Sequence, residues 1–430
     1  MKLVSTNNNS HTSNFLDAVV QGLAPDGGLF VPQTLPKLPA TFFERLSGLS
    51  IQEIAFEVTK AFLNDELSEF AIKEITENAI TFDAPLVELT NGYHILELFH
   101  GPTLAFKDFA ARFMAQLLST VVNKQEKKLD ILVATSGDTG GAVASGFYNV
   151  DGIQVTILYP SGGVSPLQEK QLTALGGNIR ALEVMGTFDD CQAMVKKAFL
   201  DLELTTTLSL TSANSINIAR LIPQTFYYFR GYAQVKNKSL PTVFSVPSGN
   251  FGNATAGLIA KKMGLPYHKL VISTNANDIV PQYLDSGEFT PRASVATISN
   301  AMDIGNPSNF ARIINLYLNR EQLLSEMSGA SFSDDQTREA IKKVYHSDNY
   351  ILDPHTAVAY LGLNKFYGND QNINKIALST AHPSKFVEIV QDVLKIEVEI
   401  PERLACLRDK KKVSTVIKAD YQHLKDYLLS

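Results

Sequence analysis

Apolar positions along this chain fall into two regimes. From about residue 14 to 90 they recur mainly at helical spacing, as over Phe42 to Leu49 and Ile51 to Leu63, punctuated by the turn Ala24-Pro25-Asp26-Gly27-Gly28. From residue 93 onward, short β-rich runs alternate with amphipathic stretches. Asp130 to Ala134, Gln154 to Leu158, Ile179 to Val184, Thr242 to Val246, Leu270 to Thr274 and Lys375 to Leu378 predict strands. Asp138 to Phe147, Pro166 to Leu175, Cys191 to Leu200, Ser215 to Val235, Asn253 to Met263 and Pro383 to Leu394 predict helices, the fourth kinked or broken at Pro223. Strand-then-helix alternation implies an α/β fold: two domains with parallel sheets covered on both faces, preceded by a mainly helical N-terminal layer. The expected division is 1–90 for that layer, 91–240 for a smaller α/β domain, 241–400 for a larger one and 401–430 for a charged C-terminal tail of little pattern. The stretch from about 286 to 350 is less regular.

Composition narrows the function classes. The 38 Lys+Arg and 44 Asp+Glu leave a net charge of −6 with no long basic run, which argues against a nucleic-acid partner. No apolar run approaches the ~20 residues that span a bilayer, and Met1 to Ser10 is polar rather than signal-like, so no membrane partner is expected. Cys191 and Cys406 are the only cysteines, too few for a disulfide framework or a thiolate metal cluster. A cytoplasmic, reducing compartment follows, and no metal site is expected.

Ligands of parallel α/β folds sit beyond the carboxyl ends of strands, which directs attention to four loops. Pro247-Ser248-Gly249-Asn250-Phe251-Gly252-Asn253 joins a strand to a helix; its glycines free backbone N–H groups, and the helix start adds positive potential. It suits a phosphate, although a plain strand-to-helix turn would look the same. Thr135-Ser136-Gly137-Asp138-Thr139-Gly140-Gly141 gathers hydroxyls and N–H groups suited to a carboxylate or phosphate oxygen, with Asp138 equally readable as a helix cap. Lys107, in His100-Gly101-Pro102-Thr103-Leu104-Ala105-Phe106-Lys107-Asp108-Phe109, opposes the dipole of the helix it starts. Apolar surroundings and a positive helix end would lower its pKa, as a Schiff-base amine requires; a solvated lysine is the ordinary alternative. Ser379-Thr380-Ala381-His382-Pro383 ends a strand with two hydroxyls, useful to a ring nitrogen or simply a cap.

A lysine, a Gly-rich loop, a Ser-Gly-Asp-Thr-Gly turn and a terminal Ser-Thr in one chain resemble the fold-type II pyridoxal-phosphate enzymes, and within them the threonine synthase family in its longer microbial and fungal branch. The likeness covers nearly the whole chain, including Gly22 to Phe30, Leu98 to Thr103, Asn214-Ser215-Ile216-Asn217 with Arg220, and Asn300-Ala301-Met302-Asp303. It implies conversion of O-phospho-L-homoserine and water to L-threonine and phosphate. Lys107 would hold pyridoxal 5'-phosphate and then move protons. Gly249, Asn250, Phe251, Gly252 and Asn253 would cradle the cofactor phosphate, with Thr380 on the pyridine nitrogen. Thr135, Ser136, Thr139, Asn214, Ser215 and Arg220 would meet the substrate, the arginine fork taking its phosphate. A monomer or weak dimer is expected.

Asp138 is the awkward position in this resemblance. Most fold-type II enzymes carry Asn there, against the phenolic oxygen of the cofactor, although the longer branch itself carries Asp. An ionised carboxylate would repel a phenolate, so Asp138 is expected to be protonated or turned away. A phospho-lyase releasing a keto acid would use the same residues. A dehydratase or sulfhydrylase of this fold would leave Arg220 unpaired, and a non-catalytic binder would have no use for Lys107.

Overall fold

Four consecutive aromatic residues point to every side of a helix, so Ile222–Gln234, with its run Phe226-Tyr227-Tyr228-Phe229, is buried from Ile222 through Phe229. Phe226 meets Phe113 at 5.8 Å between ring centroids, Tyr227 meets Phe109 at 5.4 Å, Tyr228 meets Phe244 at 5.2 Å and Phe229 meets Phe42 at 5.6 Å. One helix thereby ties together the N-terminal layer, the helix Lys107–Gln125 and the strand Thr242–Pro247. The protein is described here from a computed structural model covering residues 1–125 and 128–430.

Two sheets carry the α/β part. The larger runs Met327–Ser331, Lys269–Thr274, Thr242–Pro247, Asn374–Ser379, Tyr93–Glu97, Leu86–Glu88, parallel throughout except for the last pair. The smaller is all parallel, in the order Thr415–Lys418, Ile179–Met185, Ile153–Pro160, Leu129–Ala134, Leu210–Ser212. All six predicted strands are present, and the helices after them cover the sheet faces. No helix among the described residues is long and apolar enough to cross a membrane.

Pairing across the chain departs from the linear division in three places. Tyr93–Glu97 falls within the smaller domain by sequence but pairs with Asn374–Ser379 in the larger sheet. The 401–430 segment is no loose tail: Thr415–Lys418 forms the edge strand of the smaller sheet, Leu424 is buried, and Lys412 lies 2.6 Å from both Glu169 and Glu183. The N-terminal layer is helical as expected, but it also holds an antiparallel sheet of Leu3–Ser5, Thr12–Ser13 and Phe30–Pro32. Strands of two to five residues show too few alternations to be read from a pattern. Within 286–350, Asp334–Asp348 is a regular helix opened by a Ser333–Gln336 capping box.

Pro223 breaks the predicted 215–235 helix rather than kinking it. It occupies the first turn of Ile222–Gln234, where a missing N–H costs nothing, and the preceding residues are loop plus the 3-10 turn Ile218–Arg220. Residues 213–217 are thereby free to join the loops that follow Ala134, Pro247 and Ser379 around one pocket.

Candidate active site

Lys107 is placed by a strained loop. Leu104 takes a left-handed φ of 59°, rare for a side-chain-bearing residue. The Phe106 N–H then donates to the Thr380 carbonyl at 2.9 Å, and the His382 N–H donates to the Leu104 carbonyl at 3.1 Å. This short antiparallel bridge sets the start of Lys107–Gln125 against the end of the strand Asn374–Ser379. The Lys107 side chain is 16 % exposed and its Nζ stands 3.8 Å from Asp138 Oδ2. Burial lowers its pKa below that of an ordinary lysine; Asp138 opposes this, while Lys385 and Arg220 reinforce it. The direction matches the expectation from sequence, with burial as the first cause.

Asp138 has partners that the sequence reading did not foresee. Its Oδ1 lies 2.7 Å from Lys385 Nζ and accepts from Gln168 Nε2 at 2.9 Å, leaving Oδ2 toward Lys107. Burial alone would push this carboxyl up, but the two lysine cations and the Gln168 bond hold it well below the usual carboxylate range. Nothing in the sequence pattern marks Lys385, two residues into a 3-10 turn that opens with Pro383.

The 248–253 loop fits a cofactor phosphate. Backbone N–H groups of Gly249 through Asn253 find no acceptor among the described residues. Phe251 has φ 61° at the N-cap of Gly252–Lys262, which turns the loop inward. Tyr228 donates to Asn253 Oδ1 at 2.8 Å and fixes the amide so that its buried Nδ2 has no partner. An orphaned donor beside open N–H groups at a helix start is the signature of an anion cradle. Gly249 is required sterically, since a Cβ there would fall 2.7 Å from Met302 Cα; Gly252 has room, its nearest neighbour being Ser215 Cβ at 3.4 Å. Thr380 lines the same pocket, at the end of the strand next to the one that leads into the cradle.

Arg220 and Ser215 line the same pocket as Lys107. Arg220 is 3 % exposed, donates from Nη1 to the Ala213 carbonyl at 2.7 Å, and has a buried Nε without a partner. Burial pushes its pKa down to about 10, against the pull of Asp108, so it remains a cation at neutral pH. Ser215 Oγ accepts from Asn250 Nδ2 at 3.0 Å and Asn309 Nδ2 at 3.1 Å, leaving its own proton to donate. Beneath this loop the fully buried Arg312, unmarked in the sequence, donates to the carbonyls of Phe30, Ser215 and Ile216 at 3.0, 3.0 and 2.6 Å.

Not every expected contact residue offers its side chain. Thr135 Oγ1 accepts from the N–H groups of Gly137 and Gly140 at 3.0 and 2.8 Å, and Asn214 is closed on both backbone groups of Ala134. Thr135 is buried and Asn214 half-buried; both use these atoms to organise loops whose N–H and C=O groups need partners, and both line the pocket. Ser136 and Thr139 stay half-buried on the pocket wall. His355, also unmarked, lines the wall with Nδ1 2.9 Å from Asp353 and with the Ala301 N–H donating to its Nε2 at 3.3 Å.

Comparison with known proteins agrees with this geometry. The family described as "Pyridoxal-phosphate dependent enzyme" matches residues 82–375, "Threonine synthase N terminus" residues 2–80 and "Threonine synthase, C-terminal" residues 356–428. The threonine synthase of Haemophilus influenzae is 45% identical over 430 residues, covering 100% of both chains. The crystal structure of threonine synthase from Escherichia coli superposes with a TM-score of 0.93 at 42% identity, over 100% of this chain and 99% of that one. The pyridoxal-phosphate-bound threonine synthase of Brucella melitensis gives 0.93 at 36% identity, over 100% and 98%. Relatives this similar along their whole length, together with family matches that run from residue 2 to residue 428, establish that the chain belongs to the threonine synthase family of pyridoxal-phosphate-dependent enzymes.

Proposed function

We propose that this enzyme converts O-phospho-L-homoserine and water to L-threonine and phosphate. The observation that carries this reading is a second anion site. Arg220, buried with an unpartnered Nε, lines the pocket with Lys107 and lies outside the 249–253 loop, while Ser215, which accepts from Asn250 of that loop, keeps a proton to donate. A substrate with no phosphate would leave that guanidinium desolvated and unpaired, at a cost in binding.

Each residue then has a task. Lys107 would hold pyridoxal phosphate covalently, the N–H groups of Gly249, Asn250, Phe251, Gly252 and Asn253 together with Asn253 Nδ2 would take its phosphate, and the Thr380 hydroxyl would serve its ring nitrogen. When bound, the cofactor supplies the electron sink for carbanion chemistry next to the amino group. The Lys107 amine would also move protons at the α- and β-carbons of the substrate. Arg220 and Ser215 hold the γ-phosphate as it becomes the leaving group. Ser136 and Thr139, at the start of the helix Asp138–Phe147, take the substrate carboxylate. Thr135 and Asn214 keep these loops in shape. We also propose a cytoplasmic monomer or weak dimer, in keeping with unpaired Cys191 and Cys406.

The test is product analysis with O-phospho-L-homoserine: phosphate and L-threonine are expected in equal amounts. Phosphate accompanied by a keto acid would replace this reading with a phospho-lyase.

A further inference from the structure

Lys385 is a buried cation that the proposed chemistry does not use. Its side chain is 1 % exposed, and its Nζ has three acceptors: Asp138 Oδ1 at 2.7 Å, the Thr103 carbonyl at 2.9 Å and Gln171 Oε1 at 3.0 Å. Three acceptors match the three N–H donors of an ammonium, so Lys385 has no lone pair to spend as a base and no donor left for substrate. Its partners come from three places in the chain. Thr103 belongs to the loop before Lys107, Gln171 to the helix Pro166–Thr173, and Asp138 to the helix facing the pocket.

With Oδ1 of Asp138 occupied by Lys385 and Gln168, only Oδ2 is left to face Lys107. We infer that Lys385 is a positioning residue acting through Asp138: it holds the carboxylate ionised and oriented, and by offsetting its charge it keeps Lys107 available as a neutral amine. Without Lys385, Asp138 is a lone buried anion whose nearest cation is Lys107, and the two would close into an ion pair that sequesters the nucleophile. Without Asp138, the uncompensated Lys385 and the nearby Arg220 disfavour a proton on Lys107. Asp108, the other buried acid here, is taken up by the Thr103 N–H at 2.8 Å and the Thr103 hydroxyl at 2.6 Å and does not substitute.

This inference rests on Lys107 being the attachment lysine, and the experiment separates the two. The full chain, stripped of cofactor, is mixed with pyridoxal phosphate across a pH series and capture is followed by visible absorbance; label on Lys107 in the parent tests the attachment site alone. Lys385→Met should move the pH midpoint of capture up by about one unit, a roughly tenfold slower reaction at fixed pH below it. Asp138→Asn should move it down, and the double variant Asp138→Asn with Lys385→Met should return it toward the parent. A scaffold-only role would lower thermal stability in all three without opposite displacements. Midpoints that stay put, or move the same way in both single variants, overturn the inference. Should Lys385→Met not fold, Asp138→Asn against the double variant still decides, since the second change must raise the midpoint again.

Discussion

The Phe106 N–H donates to the Thr380 carbonyl at 2.9 Å, so the residue before the proposed attachment lysine and the residue proposed to meet the cofactor ring share one backbone bridge. Lys107 and Thr380 are thus placed by backbone, not by flexible side chains. The loaded protein should be yellow, and borohydride should fix the cofactor on Lys107, read by peptide mass mapping. Lys107→Ala should lose the covalent link and at least ~10²- to 10⁴-fold of turnover. Label recovered on another lysine would displace the site.

Gly249 and Gly252 are set apart by their neighbours. Gly249→Val drives a Cβ into Met302 and should weaken cofactor retention by roughly tenfold or more, whereas Gly252→Ala has space and should retain it. Equilibrium dialysis against pyridoxal phosphate measures both. Equal retention by the two variants would mean that the cradle lies elsewhere.

Arg220→Ala should keep the yellow colour and the fold but lose on the order of 2–5 kcal/mol in kcat/KM, roughly 30-fold to several thousand-fold. Arg220→Lys should recover little, because a point charge does not reproduce a fork. Homoserine, which lacks the phosphate, should bind weakly to parent and variant alike. A parallel loss of homoserine binding would remove Arg220 from the phosphate site.

Arg312→Met removes a buried guanidinium and strands the carbonyls of Phe30, Ser215 and Ile216. Stability should fall by about 3 kcal/mol or more, read from the denaturant midpoint. KM should rise as well, since the Ser215 loop loses its support. An unchanged midpoint would show that those carbonyls find other partners.

Asp138 gives a pH signature. Its folded carboxyl is held below the ordinary value of 3.8, so on acidification the unfolded chain takes the proton first. The stabilisation is therefore complete above the ordinary carboxylate pKa and is lost as pH falls toward the folded one. Asp138→Asn should flatten the acid limb of the stability curve below about pH 5, measured by chemical denaturation. A limb as steep as that of the parent would exclude the ion pair with Lys385.

What the sequence alone determined was local. Apolar periodicity placed Ile51–Leu63 and the six central strands, and the residue chemistry of four strand-end loops pointed to Lys107, the 248–253 loop and Thr380, because turn geometry, helix starts and nucleophile placement are short-range properties; Ser215 and Arg220 came only with the family resemblance. What only tertiary structure decided was pairing across distance. The edge strand Thr415–Lys418, the transfer of Tyr93–Glu97 to the larger sheet, Arg312 under the Ser215 loop and Lys385 against Asp138 join residues tens to hundreds of positions apart. A buried lysine or arginine is legible only through its partners: alone it reads as a surface charge, since burying it unpaired is costly, and partners become known only when the chain has folded.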